Sequence, residues 1–317
     1  MTTSDNRNRL GIFLRGLLMG AADIVPGVSG GTMAFITGIY DTLLGSIRAF
    51  DLTFVKLLLR LDIRAAFNHV NGGFLLCLLA GIGTSVLTLA RILGWVLEHH
   101  PVPLWAFFFG LILASALVLL KQVDHWNPQR LGSLAGGIAI AATIALSPTV
   151  NLHIGLPGVF VSGFIAICAM ILPGISGSFI LVLLGMYGTV LAALKGLDIV
   201  FIGVFACGAA SGLLCFSRFL YWLLHRYHAG TMALLTGFLF GSLLVVWPWK
   251  QVLQWVASSD GTPKPAHQWP VSPGQFEAIT GSEPQILLCS LLMLAGFALV
   301  WLIDNQWGRM QQGAPTG

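Results

Sequence analysis

The stretch Ile24-Val25-Pro26-Gly27-Val28-Ser29-Gly30-Gly31 recurs half a chain later as Ile171-Leu172-Pro173-Gly174-Ile175-Ser176-Gly177-Ser178, and the register holds through Gly38 and Gly185, Tyr40 and Tyr187, and Thr42 and Thr189. Each copy interrupts an apolar run. Proline removes a backbone donor and paired glycines break the helical ladder, so each copy frees N–H and C=O groups that hydrocarbon cannot satisfy. Such a break is tolerated only where it is buried in protein or lines a cavity. Two matched breaks therefore predict a binding site between two repeats.

A second match widens the repeat to whole halves: Gly81, Arg91, Leu93, Trp95, Leu97, Ala106, Gly110 and Ser115 align at one offset with Gly208, Arg218, Leu220, Trp222, Leu224, Ala233, Gly237 and Ser242. With 56% hydrophobic and 9% charged residues, the chain lies far from soluble domains, in which charged residues are about a quarter. Apolar runs long enough to cross, or to enter and return, fall at roughly 10 to 22, 31 to 50, 73 to 97, 102 to 120, 131 to 147, 156 to 172, 178 to 194, 199 to 224, 230 to 247 and 285 to 303. The expected fold is an all-α polytopic membrane protein. It is built of two inverted-topology repeats, 1–150 and 151–317, each a re-entrant or broken helical hairpin plus about three transmembrane helices.

Charge sets the expected orientation. Arg7, Arg9, Arg15, Arg48, Lys56, Arg60, Arg64, Lys121, Arg130, Arg226 and Arg309 fall on one side, and only Lys195, Lys250 and Lys264 on the other. The positive-inside rule then places both termini in the cytoplasm. The first run resembles a secretory signal, but Arg15 interrupts it and its repeat mate is internal. The segment 51–70 carries Lys56, Arg60 and Arg64 at helical spacing beside Phe54, Leu57, Leu58 and Leu61, and reads either as a cytoplasmic interfacial helix or as the solvated basic face of a connector. The polar segment 249–284 reads as an external loop, with Trp247, Trp249 and Trp255 at the membrane interface.

The chemistry concentrates at the breaks. Pro26, Gly27, Ser29, Gly30, Gly31 and Thr32 in the first copy, and Pro173, Gly174, Ser176, Gly177 and Ser178 in the second, precede uninterrupted apolar helices. A serine N-cap with glycine behind it leaves the first N–H groups of a helix open to an anion at the positive end of the dipole. Tight turns between packed helices would need the same residues. Arg91 and Arg218 occupy equivalent places within apolar runs, where an arginine costs roughly 2.5 to 3.5 kcal/mol on insertion scales. They are candidate phosphate ligands or, equally, snorkelling anchors. Asp23 adjoins the first break and its repeat mate is Met170, which makes Asp23 the candidate carrier of a coupling proton, where a coupling proton or cation is needed, although an Asp paired with Arg15 one or two helical turns away would look the same. Tyr40 and Tyr187 read as interface anchors, and Asp41 as a helix-end residue outside the pocket.

Cys77, Cys168, Cys207, Cys215 and Cys289 all lie in apolar runs without CxxC spacing, and no phosphate loop or zincin pair occurs. Neither metal nor cofactor nor nucleic-acid partner is expected. The residues alone support a carrier of an anionic, lipidic substrate, or equally a carrier or exchanger of a small anion. A membrane lipid phosphatase would need a base beside Ser29 or Ser176, and neither has a histidine nearby in sequence.

Gly20-Ala21-Ala22-Asp23-Ile24-Val25-Pro26-Gly27-Val28-Ser29-Gly30-Gly31-Thr32, together with the second copy, resembles a bacterial integral-membrane family identified with polyprenyl-phosphate transporters of the PopT type. The resemblance runs roughly from Arg9 to Asp304. It implies translocation of undecaprenyl phosphate across the cytoplasmic membrane for lipid-carrier recycling, with the polyprenyl phosphate and the bilayer as partners.

Overall fold

A computed structural model of the chain describes residues 3–24, 29–123, 125–150, 155–257 and 263–312. In the first half, α1 (Thr3–Ile24) runs up to the break, followed by α2 (Gly30–Ile36), α3 (Tyr40–Arg48), α4 (Leu52–Leu59), α5 (Ile63–His69), α6 (Gly72–His99), α7 (Pro101–Lys121) and α8 (Pro128–Leu146). In the second half come α9 (Gly155–Ile171), α10 (Gly177–Leu183), α11 (Tyr187–Lys195), α12 (Ile199–Arg226) and α13 (His228–Ser242), then strands β1 (Lys250–Ala257) and β2 (Pro263–Pro270), α14 (Pro273–Thr280) and α15 (Ile286–Gln312). The protein is an α-helical polytopic membrane protein in which, among the described residues, β1 and β2 pair as a two-stranded sheet.

The repeat reappears element by element. α2 and α3 recur as α10 and α11 at an offset of 147 residues (Gly30 to Gly177), whereas α6 recurs as α12 at 127 (Gly72 to Ile199). The difference of twenty residues is the α4–α5 segment, present in the first half alone. Gly38 and Gly185 turn the chain between the short helices with φ of 70° and 67°, a conformation open to glycine at little cost. The α10–α11 pair bends by 108°.

Among the described residues, α6, α7, α8 and α12 are each long and apolar enough to cross a membrane, and the bent α10–α11 pair would make a fifth. Glycines set how these helices meet. A Cβ on Gly16 would overlap the Leu78 carbonyl and one on Gly81 the Phe13 carbonyl, so α1 and α6 touch backbone to backbone. The same crossing recurs where Gly163 meets Phe205 and Gly208 meets Phe160, between α9 and α12. Small residues permit such close approach where lipid offers no hydrophobic drive for association.

The described residues fall into two compact units, each built from segments of both halves of the chain. One unit holds α1 to α5, α9 to α12 and the body of α6; the other holds α7, α8, α13, α14 and α15. Within the second unit the halves exchange their last helices. Gly110 of α7 packs on the Met293 carbonyl of α15, while its mate Gly237 of α13 packs on the Leu134 carbonyl of α8.

Two connecting segments differ from expectation. The 51–70 segment is two helices, because Leu61 takes a left-handed φ of 57° and the Asp62 carboxylate accepts from Ala65 N at 3.0 Å, capping a new helix. Asp51 caps α4 through Phe54 N at 3.0 Å, and that bond holds its carboxyl below the usual carboxylate range. The 249–284 segment is folded around its tryptophans: Trp247 Nε1 donates to the Val271 carbonyl and Trp249 Nε1 to the Pro284 carbonyl, each at 2.8 Å. Trp249 is buried with Ala106 and Cys289, so it is a core residue, while Trp255 is exposed. Lys250 lies 3.8 Å from the centre of the Trp105 ring and donates to the Val245 carbonyl at 2.6 Å. Desolvation there pushes its pKa down to about 7.

Candidate functional site

The two breaks meet inside the first unit. Ser29 caps α2 by accepting from Gly31 N at 3.1 Å, and its hydroxyl donates across to the Met170 carbonyl at 3.1 Å. Thr32 Oγ1 accepts from Gly174 N at 2.8 Å, and Tyr40 donates its hydroxyl to the Ile171 carbonyl at 3.0 Å. The backbone groups freed at the end of α9 are thus satisfied by side chains of the other half, which answers the burial cost of an open break. Ser29 and Thr32 are fully buried and Tyr40 nearly so. Tyr40 therefore serves the break and is no interface anchor, and sequence reading missed this because the partner is a backbone carbonyl 131 residues away.

The start of α2 already holds a side-chain acceptor of its own. Asp23 Oδ1 accepts from Gly30 N at 2.7 Å, Gly31 N is taken by Ser29, and Thr32 N bonds the Ser29 carbonyl at 2.9 Å. A Cβ at Gly30 would overlap the Asp23 carboxylate. Val25, Pro26, Gly27 and Val28 lie outside the described residues.

The start of α10 is built differently. Ser176 makes no capping bond, and its hydroxyl instead meets that of Ser178 at 2.8 Å. Met170 stands where Asp23 stands in the first half, so no carboxylate reaches Gly177. Gly177, Pro173, Gly174 and Ser176 are buried, and a Cβ on Gly177 would come within 2.7 Å of the Ala166 carbonyl. The two starts share spacing but not occupancy.

Arg91 and Arg218 sit at the same place in the 28-residue helices α6 and α12. Both are exposed. Arg218 donates through Nη2 to the Phe50 carbonyl at 2.8 Å, and its mate Arg91 makes no equivalent bond among the described residues. The structure does not bring either arginine into hydrogen-bond contact with the breaks. No group of three or more His, Cys, Asp or Glu side chains that could hold a metal occurs among the described residues.

The polyprenyl-phosphate transporter of Vibrio cholerae serotype O1 is 48% identical over 293 residues, covering 92% of this chain and 95% of that protein. The polyprenyl-phosphate transporter of Staphylococcus aureus is 31% identical over 256 residues, covering 74% of this chain and 85% of that one. No solved structure matches the chain. A family model described as undecaprenyl phosphate translocase-like matches residues 19–264, a span that takes in both breaks and both arginines, and the chain belongs to that family.

Proposed function

We propose that the protein carries undecaprenyl phosphate across the bacterial cytoplasmic membrane, returning the lipid carrier for reuse, and that it does so without chemical change to the lipid. The observation that carries this reading is the 48% identity with a polyprenyl-phosphate transporter along nearly the full length of both chains. The meeting of the two breaks in one unit supports where the work is done. The phosphate engages the Ser-Gly start of α10, where Gly177 N is uncapped by any side chain, and at α2 it replaces the Asp23 carboxylate on Gly30 N. Proton uptake by Asp23 would release that amide, which makes Asp23 the coupling residue. Arg91 and Arg218 receive the headgroup at the two faces, with the polyprenyl tail left in lipid.

Transport of labelled undecaprenyl phosphate into proteoliposomes, with and without a pH gradient, tests the reading. Recovery of the lipid unchanged is expected; release of inorganic phosphate would make the protein a phosphatase. A guanidinium binds phosphate through a planar fork that an ammonium lacks. Arg91→Lys and Arg218→Lys should therefore leave the protein inserted but lower transport roughly tenfold each, an expectation built on charged hydrogen bonds of about 1.5 to 3 kcal/mol. Normal transport by the double variant would remove both arginines from the mechanism.

The topology proposed is inverted, with cytoplasmic termini and 249–284 external. Gly274 is exposed with open space around it, so Gly274→Cys in a cysteine-free background should react with an impermeant maleimide added to intact cells. Labelling only after the membrane is opened would reverse the orientation.

A further inference from the structure

Away from the breaks, α3 and α12 share a seam that carries Arg48 from one helix and Arg218 from the other. α3 runs antiparallel to the end of α12: Asp41 Oδ1 lies 3.9 Å from His225 Nε2, Arg48 Cζ lies 4.6 Å from the centre of the Tyr221 ring, and the Phe50 carbonyl accepts from Arg218. Arg218, Tyr221 and His225, three and four residues apart, share one face of α12. The Tyr221 platform is itself fixed, since its ring stacks on His225 with centroids 3.9 Å apart.

Arg48 and Arg218 are both exposed, and neither forms an ion pair among the described residues. Arg48 is held by an aromatic face and Arg218 by a single carbonyl, contacts that orient a guanidinium while using few of its five N–H donors. Of the two acids beside the row, Asp41 sits at its far end next to His225, and Asp51, the residue after Phe50, is engaged by Phe54 N and His69 Nε2. Two oriented guanidinium forks whose charge no carboxylate neutralises match the oxygens of a phosphate.

The pair has no counterpart at the repeat mates. At the repeat mates, Lys195 replaces Arg48 and Gly94 replaces Tyr221, while Arg91 keeps the place of Arg218. Lysine has no planar fork, and glycine offers no ring to hold it.

We propose that Arg48 and Arg218, set by Tyr221 and the Phe50 carbonyl, form a two-guanidinium docking site for a phosphate group, where the repeat mates supply the single guanidinium of Arg91. The ligand chemistry is a phosphate monoester or free phosphate, and the assignment to a lipid headgroup rests on the functional reading given above. Such a site receives or releases the headgroup at one membrane face, before or after it occupies the breaks.

The test titrates full-length protein in lipid nanodiscs with farnesyl monophosphate and, in a separate arm, with inorganic phosphate. Arg48→Gln should weaken farnesyl phosphate binding roughly tenfold, the loss expected for one charged hydrogen-bond pair. Arg48→Lys should fall between the two. Tyr221→Leu should weaken binding although it removes no charge, with Tyr221→Phe restoring it, whereas Lys195→Gln should bind as wild type does. Wild-type affinity in both Arg48 variants, with unchanged melting, would overturn the docking site while leaving transport intact. Equal affinity for inorganic phosphate would overturn its assignment to a lipid. A wild-type protein that neither binds farnesyl phosphate nor transports undecaprenyl phosphate would sink the functional reading, and the docking site with it.

Discussion

Gly110→Ala is expected to destabilise the protein sharply, although it adds a single methyl group. A Cβ at this position would overlap the Met293 carbonyl, carbonyl carbon and Cα at once, and none of these is the end of a flexible side chain. The whole of α15 would have to move away from α7, and Gly296, packed on the Phe107 carbonyl nearby, would lose its seat as well. Overpacking typically costs about 1 to 3 kcal/mol, and a rigid backbone as the obstacle puts this change at the upper end. The mate Gly237→Ala should behave alike, against the Leu134 carbonyl. Gly136→Ala, on α8 with nothing within 4 Å, is the control and should be silent. Detergent-solubilised protein can be compared by gel filtration and thermal melting, and a Gly110→Ala protein that melts like wild type would refute the described α7–α15 contact.

Gly30→Ala should damage the protein in a way that a second substitution repairs only in part. The new methyl displaces the Asp23 carboxylate from Gly30 N, leaving a buried donor and a buried charge without each other, a loss of about 1 to 3 kcal/mol or more. Unlike the Gly110 case, the obstacle is a side chain. Asp23→Ala with Gly30→Ala removes the clash, so its melting temperature should exceed that of Gly30→Ala alone, with a coupling of about 0.5 to 3 kcal/mol in a double-mutant cycle. Transport should stay low in both, because the double variant lacks the proposed proton carrier. Strict additivity of the two substitutions would show that Asp23 and Gly30 do not act as a pair.

The breaks were legible in the sequence because proline, serine and glycine at fixed spacing have a local meaning. α2 and α10 begin at Gly30 and Gly177, directly behind the serines that the motif marks as caps. What fills those breaks was not legible. Thr32 to Gly174 and Tyr40 to Ile171 are bonds between a neutral side chain and a backbone atom more than 130 residues away, and any residue has a backbone. Asp23 stands out in the sequence for its charge, but no spacing rule places its carboxyl group on Gly30 N seven residues on. The split of 51–70 hinges on Leu61 adopting a left-handed conformation, which leucine composition gives no reason to expect. Periodicity likewise shows that α7 and α13 are apolar without saying that each packs on the last helix of the other half.

That exchange of last helices has a consequence for synthesis. Gly110 emerges from the ribosome 186 residues before Gly296, its neighbour across the α7–α15 crossing. At roughly 5 to 20 residues per second the wait is about 10 to 40 s. Throughout that interval α7 stands in the bilayer with a bare glycine face and no mate, a surface that the insertion machinery or a chaperone must keep from pairing with the wrong helix. α8 waits a shorter time for α13. A chain that stalls or is cut before α15 therefore loses more than its last span, since it strands a helix from the first half with its complementary surface never made.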